Sequence, residues 1–282
     1  MKSKAELAAE QAAYWNGPGG TMWLGAYDRI RRGIADFSEV ALRAANAQPG
    51  ERVLDVGCGT GGTTAELAQA VGATGHVQGV DISETLVGAA QAQKLANASF
   101  AVGDATTWPF EAGAFDLVFS RFGVMFFADP VLSFRNLRGA LRPKGRLIFA
   151  CWREPRENGW MMAPLMAAYK HVPKLPQLGP EDPGPFSFAD EVRVRRILSA
   201  AGFTDIEMEA CPLTFDVAAG RGLEAAVQGA LEIGPASRAL EGHPPDVVAA
   251  AVQSIRETLT PFAKGQSVLL PGAIWLVTAN AP

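Results

Sequence analysis

The stretch V-L-D-V-G-C-G-T-G-G, residues 53–62, holds the residue types best suited to bind a ligand in this chain. An apolar run that carries Asp55 leads into a glycine-rich turn, and a helix-forming run follows. Glycine lets backbone amides approach a ligand closely, because no Cβ stands in the way. The helix after the turn would direct free N–H groups and the positive end of its dipole at the same place. The sequence therefore predicts a site for a nucleotide-like ligand with an anionic group.

The spacing of the glycines fits two kinds of nucleotide site. Gly57, Gly59 and Gly62 satisfy G-x-G-x-x-G, the dinucleotide fingerprint. Asp81 lies about 20 residues further on, where that fingerprint expects an acid. The same loop also fits G-x-G-x-G, with Asp55 two residues ahead of the first glycine. This second pattern resembles motif I of the class I S-adenosylmethionine-dependent methyltransferases.

Three acids at the ends of predicted strands favour the methyltransferase pattern. A carboxylate such as Asp55, at the end of an apolar strand, is costly to bury unless a cation or hydrogen-bond donors meet it. The α-amino group of a methionine moiety would be such a partner, whereas a pyrophosphate would be repelled. Asp81 follows a second strand and can accept hydrogen bonds from vicinal ribose hydroxyls. Asp104 follows a third and can accept one from an adenine amino group, which dinucleotide enzymes do not need.

The resemblance extends over residues 51–152 in the family's order. The run at 115–120 is similar to its fourth strand, and residues 138–149 are similar to its helix, Pro-x-Gly turn and fifth strand. The similarity is greatest to the ubiquinone/menaquinone-biosynthesis-like and type 11 small-molecule methyltransferases. It implies S-adenosyl-L-methionine as cofactor and an α/β fold, a Rossmann-like, doubly wound sheet of seven strands with the last antiparallel. The residues that it assigns to cofactor binding are Asp55, Gly57, Cys58, Gly59, Asp81, Ile82, Asp104, Ala105, Ser120 and Arg121.

We interpret residues 1–282 as one methyltransferase domain with additions to a minimal core. The divisions are a helical N-terminal cap over 1–50, the cofactor-binding core over 51–152, and final strands over 203–216 and 267–279. Segments 153–188 and 218–264 exceed what the core needs, and they predict one Met/Trp-rich helix and two helices respectively. Both map to the carboxyl ends of the strands, where ligands bind in such sheets, which predicts lids over the acceptor.

Smaller features of the sequence give further expectations about local structure. In the cap, residues 5–15 predict one helix, broken by the G-P-G-G run, and residues 27–42 predict a second. Asp129 before Pro130 predicts a helix start. The basic run 193–196 is interpreted as the solvated face of a helix that spans 190–201.

The predicted acceptor pocket combines aromatic residues with one histidine. Phe122 follows the fourth strand, and the Met/Trp-rich helix carries Trp160 and His171. Tyr14 and Trp15 would close over the cofactor from the N-terminal helix. His171 is the candidate general base, although a lone histidine in such a place more often has a surface or packing role. The catalytic residues are otherwise unassigned.

Bulk properties argue against several other classes of protein. A net charge of −4 and a pI of about 5.5 argue against a nucleic-acid partner. Three scattered cysteines are too few for a disulfide framework or a zinc site, so no metal is predicted. No apolar run reaches the ~20 residues of a membrane helix, and no signal peptide is evident. These features predict a cytoplasmic protein without stable membrane insertion, and they leave a homo-oligomer open.

The sequence thus predicts an enzyme that transfers a methyl group from S-adenosyl-L-methionine to a small, largely apolar acceptor. The transfer would be an in-line displacement that needs neither a metal nor a dedicated nucleophile. Two alternatives stay open, an NAD(P)-dependent oxidoreductase and a non-catalytic cofactor-binding partner subunit. The acceptor is unidentified, and its reacting atom could be oxygen, nitrogen, carbon or sulfur.

Overall fold

A mixed sheet forms the centre of the computed structural model, which describes residues 2–179, 181–232 and 234–282. Its strands within those residues are β1 (Arg52–Val56), β2 (His76–Asp81), β3 (Ala98–Val102), β4 (Phe115–Arg121), β5 (Leu141–Trp152), β6 (Thr204–Asp216), β7 (Ala263–Lys264) and β8 (Ser267–Asn280). The main order is β3-β2-β1-β4-β5-β8-β6, and β7 pairs with β8 off this path. The first five strands pair in parallel, whereas β8 is antiparallel to both β5 and β6. The predicted Rossmann-like sheet with an antiparallel last strand is therefore confirmed.

The central parallel strands β1 and β4 are largely buried, because helices pack against the sheet. Those that connect the strands are α5 (Gly62–Val71), α6 (Glu84–Gln91), α7 (Pro130–Ala140) and α9 (Glu191–Ala201). Asp129 caps α7 by accepting from the Leu132 amide, with Pro130 in the first turn, as the sequence predicts. Asp190 caps α9 in the same way, and Gly202 ends it with a φ of 91°.

The N-terminal cap contains more helices than its sequence pattern predicts. They are α1 (Lys4–Trp15), α2 (Pro18–Gly25), α3 (Tyr27–Gly33) and α4 (Ala35–Ala45). The break predicted at the G-P-G-G run is confirmed, because α1 ends at Trp15, and Pro18 then begins α2 at a position that needs no N–H. The single helix expected over 27–42 is divided at Ile34, whose ψ of 14° departs from the helical value.

The two additional segments pack together into a second apolar cluster beside the sheet core. Their helices are α8 (Gly159–Ala168), α10 (Leu223–Glu232), α11 (Pro235–Leu240) and α12 (Pro245–Leu259). The second segment thus has three helices where the sequence predicts two, with Gly234 and Gly242 at positive φ in its turns. Leu165 of α8 is buried in this cluster with Ile255 of α12, so the two segments form one covering layer.

One arginine expected on a solvated helix face lies inside the protein. The Arg193 side chain is 7% exposed, 3.3 Å from a carboxylate oxygen of Glu181 and over the ring of Phe188. The buried position of Arg193 corrects the prediction that the basic run 193–196 lies on a solvated face. Its guanidinium charge is compensated by the Glu181 carboxylate, which lies outside the helix. Among the helices that the structure describes, none has the length and apolar character to cross a membrane.

Candidate active site

Two glycine-containing loops meet where the strand order reverses, between β1 and β4. Gly57 follows β1 with a φ of 68°, and Gly123 follows β4. A Cβ on Gly57 would lie 2.8 Å from the Gly123 Cα, and one on Gly123 would lie 2.9 Å from the Val56 carbonyl oxygen. Only glycine lets the two loops approach this closely, at the position where open α/β sheets bind ligands.

The amides of the glycine-rich loop are largely engaged within the protein. Those of Gly57 and Cys58 donate to the Val80 carbonyl, at 2.8 and 3.3 Å. The Gly59 amide donates to Asp81 Oδ2 at 2.8 Å. These three amides therefore make their hydrogen bonds within the protein. Their contribution is a close-fitting backbone surface and a fixed position for Asp81.

Asp81 is held ready to accept hydrogen bonds. Its Oδ2 accepts from Gly59, and its Oδ1 accepts from the Ser83 amide at 2.9 Å. Burial raises the pKa of the Asp81 carboxyl, and the backbone donors of Ser83 and Gly59 lower it in opposition. A carboxylate has about four lone-pair sites, so each oxygen can accept a further hydrogen bond from a ligand.

Most of the predicted cofactor residues line one cavity of about 840 Å³. They are Gly57, Cys58, Gly59, Asp81, Ile82, Asp104, Ala105 and Arg121. Asp104 is oriented by the Thr106 amide, which donates to its Oδ1 at 2.8 Å. The acids at the ends of β2 and β3 therefore face the same cavity as the loop after β1. This arrangement fits S-adenosylmethionine, because two carboxylates and a glycine-rich loop line the same cavity.

Asp55 and Ser120 lie beneath the cavity rather than in its wall, which corrects the prediction that they contact the cofactor. Both side chains are fully buried. Asp55 Oδ2 accepts from the hydroxyls of Thr63 and Thr64, at 2.8 and 2.7 Å, and so anchors the first turn of α5. Because the Asp55 side chain points under the loop, it makes these internal hydrogen bonds and does not contact a methionine amino group.

The buried Asp55 carboxyl has a perturbed protonation equilibrium. Desolvation raises its pKa to about 6, against the lowering effects of the Thr64 and Thr63 hydroxyls and of the Arg121 charge. Its Oδ1 has no hydrogen-bond partner among the described residues. Burial lowers the pKa of Arg121, whose Nη1 donates to Ser38 Oγ at 2.6 Å. The Asp55 carboxyl is therefore partly protonated in mildly acidic solution.

Asp55→Asn should change how the stability of the protein depends on pH. Because the folded-state pKa of about 6 exceeds the ordinary 3.8, the stability contributed by Asp55 is fully present below pH 3.8 and lost as the pH rises through 6. The loss corresponds to about 3 kcal/mol. We expect the free energy of unfolding of the variant, relative to wild type, to rise between pH 4 and 7. Urea unfolding at several pH values measures it, and a constant difference would contradict the assignment.

Aromatic side chains form the wall of the cavity beyond β4 and β5. Phe122 stacks on Trp152 with ring centroids 4.1 Å apart, and Trp160 stacks on Phe215 at 4.5 Å. Phe122 has a φ of 62°, an uncommon backbone conformation for a bulky residue. Such strain is retained where the surroundings impose it, often at functional sites. Phe122 and Trp160 thus line the cavity, as the sequence predicts for both, whereas Trp152 and Phe215 give no signal in the sequence.

The end of α1 also reaches the cavity, through Tyr14 and Trp15. The Trp15 carbonyl accepts from Ser83 Oγ at 2.7 Å, which ties α1 to the loop after Asp81. Burial raises the pKa of the Tyr14 hydroxyl. Tyr14 and Trp15 therefore lie next to the loop that follows Asp81.

His171 lies outside the cavity, which corrects its assignment as a general base in the acceptor pocket. Its side chain is exposed, and its Nε2 lies 2.7 Å from Ser254 Oγ on α12. The sequence pattern predicts that the Met/Trp-rich helix includes His171, but α8 ends at Ala168, so His171 lies beyond the end of the helix. No histidine is among the described residues that line the cavity.

Comparison with known proteins agrees with this site. Residues 53–145 match the family model described as a methyltransferase domain. The demethylmenaquinone methyltransferase of Geobacillus kaustophilus is 30% identical over 216 residues, which cover 68% of this chain and 89% of that protein. The YcgJ protein from Bacillus subtilis is a structural neighbour with a TM-score of 0.57 and 17% identity, covering 87% of this chain and 98% of its own. A phosphoethanolamine N-methyltransferase of Haemonchus contortus has a TM-score of 0.58 and 18% identity, covering 100% and 61%.

The chain therefore belongs to the class I S-adenosylmethionine-dependent methyltransferases, within the ubiquinone/menaquinone-type group. Its cofactor is S-adenosyl-L-methionine, and an oxidoreductase that uses NAD(P) is not favoured.

Proposed function

We propose that this methyltransferase acts on a small, largely apolar acceptor that lies beside the cofactor in the cavity of about 840 Å³. The observation that carries the proposal is that both additional segments contribute residues to the cavity wall. Trp160 and Met161 come from the first additional segment, and Ala226 and Ala230 come from the second. The volume suits one small molecule together with a cofactor. The names of the demethylmenaquinone methyltransferases among its relatives make a quinone-type ring the first acceptor to test.

The residues that would hold the cofactor occupy one half of the cavity. Asp81 would accept the ribose hydroxyls, and Asp104 would accept the adenine amino group. The Gly57 and Gly59 backbone would border the methionine part, with Arg121 beside it. When bound, S-adenosyl-L-methionine supplies an electrophilic methyl group on a sulfonium sulfur.

The other half of the cavity orients the acceptor and excludes water. The stacked pairs Phe122–Trp152 and Trp160–Phe215 offer flat apolar surfaces on which a planar ring can pack. Alignment of reacting groups can supply roughly 7–11 kcal/mol of a barrier. Exclusion of water also limits side reactions. These residues would promote an in-line transfer without a nucleophile from the protein.

Calorimetric titration tests the cofactor half of the proposal. We expect S-adenosylhomocysteine to bind with a clear heat signal, and NADH and NADPH to give none. Binding of NADH with no signal from S-adenosylhomocysteine would contradict it.

Transfer of a labelled methyl group tests the acceptor half. We expect labelled product with a reduced naphthoquinone and none with a peptide or an oligonucleotide. If no compound in a broad panel of small aromatic acceptors were methylated, while the cofactor still bound, a non-catalytic role would be favoured instead.

A further inference from the structure

Arg29, on α3, places its guanidinium at the cavity wall, and two of its nitrogens have no hydrogen-bond partner in the part of the chain that the structure describes. Its Nε and Nη1 are buried, and neither has a hydrogen-bond partner among the described residues. Nη1 lies 2.5 Å from Glu232 Oε2 on α10, so the charges are paired, but without the alignment of a hydrogen bond. Buried polar groups normally have such partners, so these N–H groups are suited to a ligand.

The position of Arg29 places it on the acceptor side of the cavity. On the same helix, Tyr27 points to the glycine-rich loop, with its hydroxyl 2.7 Å from where a Gly62 Cβ would be. Arg29 points the other way and packs on α10, with its Cδ 3.4 Å from where a Gly229 Cβ would be. Gly33, one turn later, lies against the ring of Phe215. Arg29 therefore neighbours the aromatic wall and not the cofactor acids.

The charged groups around the cavity are unevenly distributed. Among the described residues that line it, the acids are Asp81 and Asp104, and both are assigned to the cofactor. The basic residues that line it are Arg29, Arg31, Arg121 and Arg238. Neither glutamate, lysine nor histidine occurs in that described lining. Apart from the Arg29–Glu232 pair, the charged residues of this lining that remain for an acceptor are basic, and no further carboxylate and no imidazole lines the described cavity to remove a proton from it.

We propose that the acceptor carries an anionic oxygen group, a carboxylate or an ionised ring hydroxyl, and that Arg29 binds this group. The inference rests on the proposed function, since it assumes that the acceptor packs on the aromatic wall. A guanidinium presents a fork of donors that matches paired or single anionic oxygens. An ionised acceptor would also explain why neither a histidine nor a carboxylate beyond the two cofactor acids occurs in the described lining. Glu232 competes for the same guanidinium, and it therefore sets how strongly an anion is held.

Binding of four small probes, measured in the presence of saturating S-adenosylhomocysteine, tests the inference. The anions are 2-naphthoate and 4-nitrophenolate, and methyl 2-naphthoate and 4-nitroanisole are their neutral counterparts. We expect each wild-type anion to bind at least tenfold more tightly than its neutral counterpart. Arg29→Met should remove that preference and leave the affinities for the neutral probes and S-adenosylhomocysteine unchanged. The two anions separate a carboxylate from an ionised hydroxyl as the preferred group.

Two further variants distinguish ligand binding from a structural role. Arg32→Met changes an exposed arginine on the same helix and should leave every affinity unchanged. Glu232→Gln removes the competing carboxylate and should tighten anion binding at least threefold. If the Arg29–Glu232 pair only joined α3 to α10, Arg29→Met and Glu232→Gln would instead weaken all four probes alike and lower the melting temperature together. That result, or equal wild-type affinity for anions and neutral probes, would overturn the inference. Failure of all four probes to bind beside a bound cofactor would contradict the small aromatic acceptor itself.

Discussion

Asp81→Ala should weaken S-adenosylhomocysteine binding at least tenfold, one of the two largest effects that we expect from a single substitution. Its carboxylate is fixed by the amides of Gly59 and Ser83 before a ligand arrives, so little ordering would be needed on binding. Hydrogen bonds to a charged group contribute roughly 1.5–3 kcal/mol each. Loss of even one therefore corresponds to about a tenfold change in the dissociation constant. Calorimetry gives that constant directly.

Two companion variants show whether the Asp81 effect is local. Asp246→Ala removes an exposed acid in the first turn of α12 and should leave the dissociation constant unchanged. Asp81→Asn keeps the size of the side chain but turns an amide group toward the donors of Gly59 or Ser83. We expect it to weaken binding as well, because one N–H must then face another. An unchanged constant in a stably folded Asp81→Ala protein would exclude the ribose assignment.

The sheet and its capped helices could be predicted from local sequence, because their signals are local. An apolar strand, a glycine-rich turn and a periodic helix are each encoded within a few residues. Asp129 and Asp190 cap their helices through amides only two or three residues away. The acids Asp81 and Asp104 could be placed because parallel strands bring their carboxyl ends to one edge.

The remaining features depend on contacts that no local pattern encodes. Asp55 ends its strand in the expected position, yet the hydroxyls of Thr63 and Thr64 turn it into an internal anchor. His171 follows an apolar stretch, but its distance from the cavity depends on where α8 ends. The Arg29–Glu232 pair joins the N-terminal cap to the second additional segment, and only the folded arrangement brings them together.

The close contact between Gly57 and Gly123 illustrates the same limit, since the sequence predicts a glycine loop but not its neighbour.

Gly57→Ala should reduce affinity for S-adenosylhomocysteine by at least thirtyfold and destabilise the fold. A left-handed φ costs a residue with a Cβ about 1–2 kcal/mol. The Cβ would also lie 2.8 Å from the Gly123 Cα, and because that neighbour is backbone, the loops after β1 and β4 would have to separate. Overpacking of this kind adds about 1–3 kcal/mol.

Gly113→Ala provides a control for the backbone cost without crowding. Gly113 has a φ of 64°, against 68° for Gly57, but a Cβ there would meet nothing within 4 Å. We expect Gly113→Ala to lower the free energy of unfolding by about 1–2 kcal/mol and to leave cofactor affinity unchanged. Urea unfolding and calorimetry on both variants separate strain from crowding. If the two substitutions cost the same stability and neither altered affinity, the contact between the loops would not shape the site. A loss of affinity confined to Gly57→Ala would instead show that cofactor binding requires the close approach of the loops after β1 and β4.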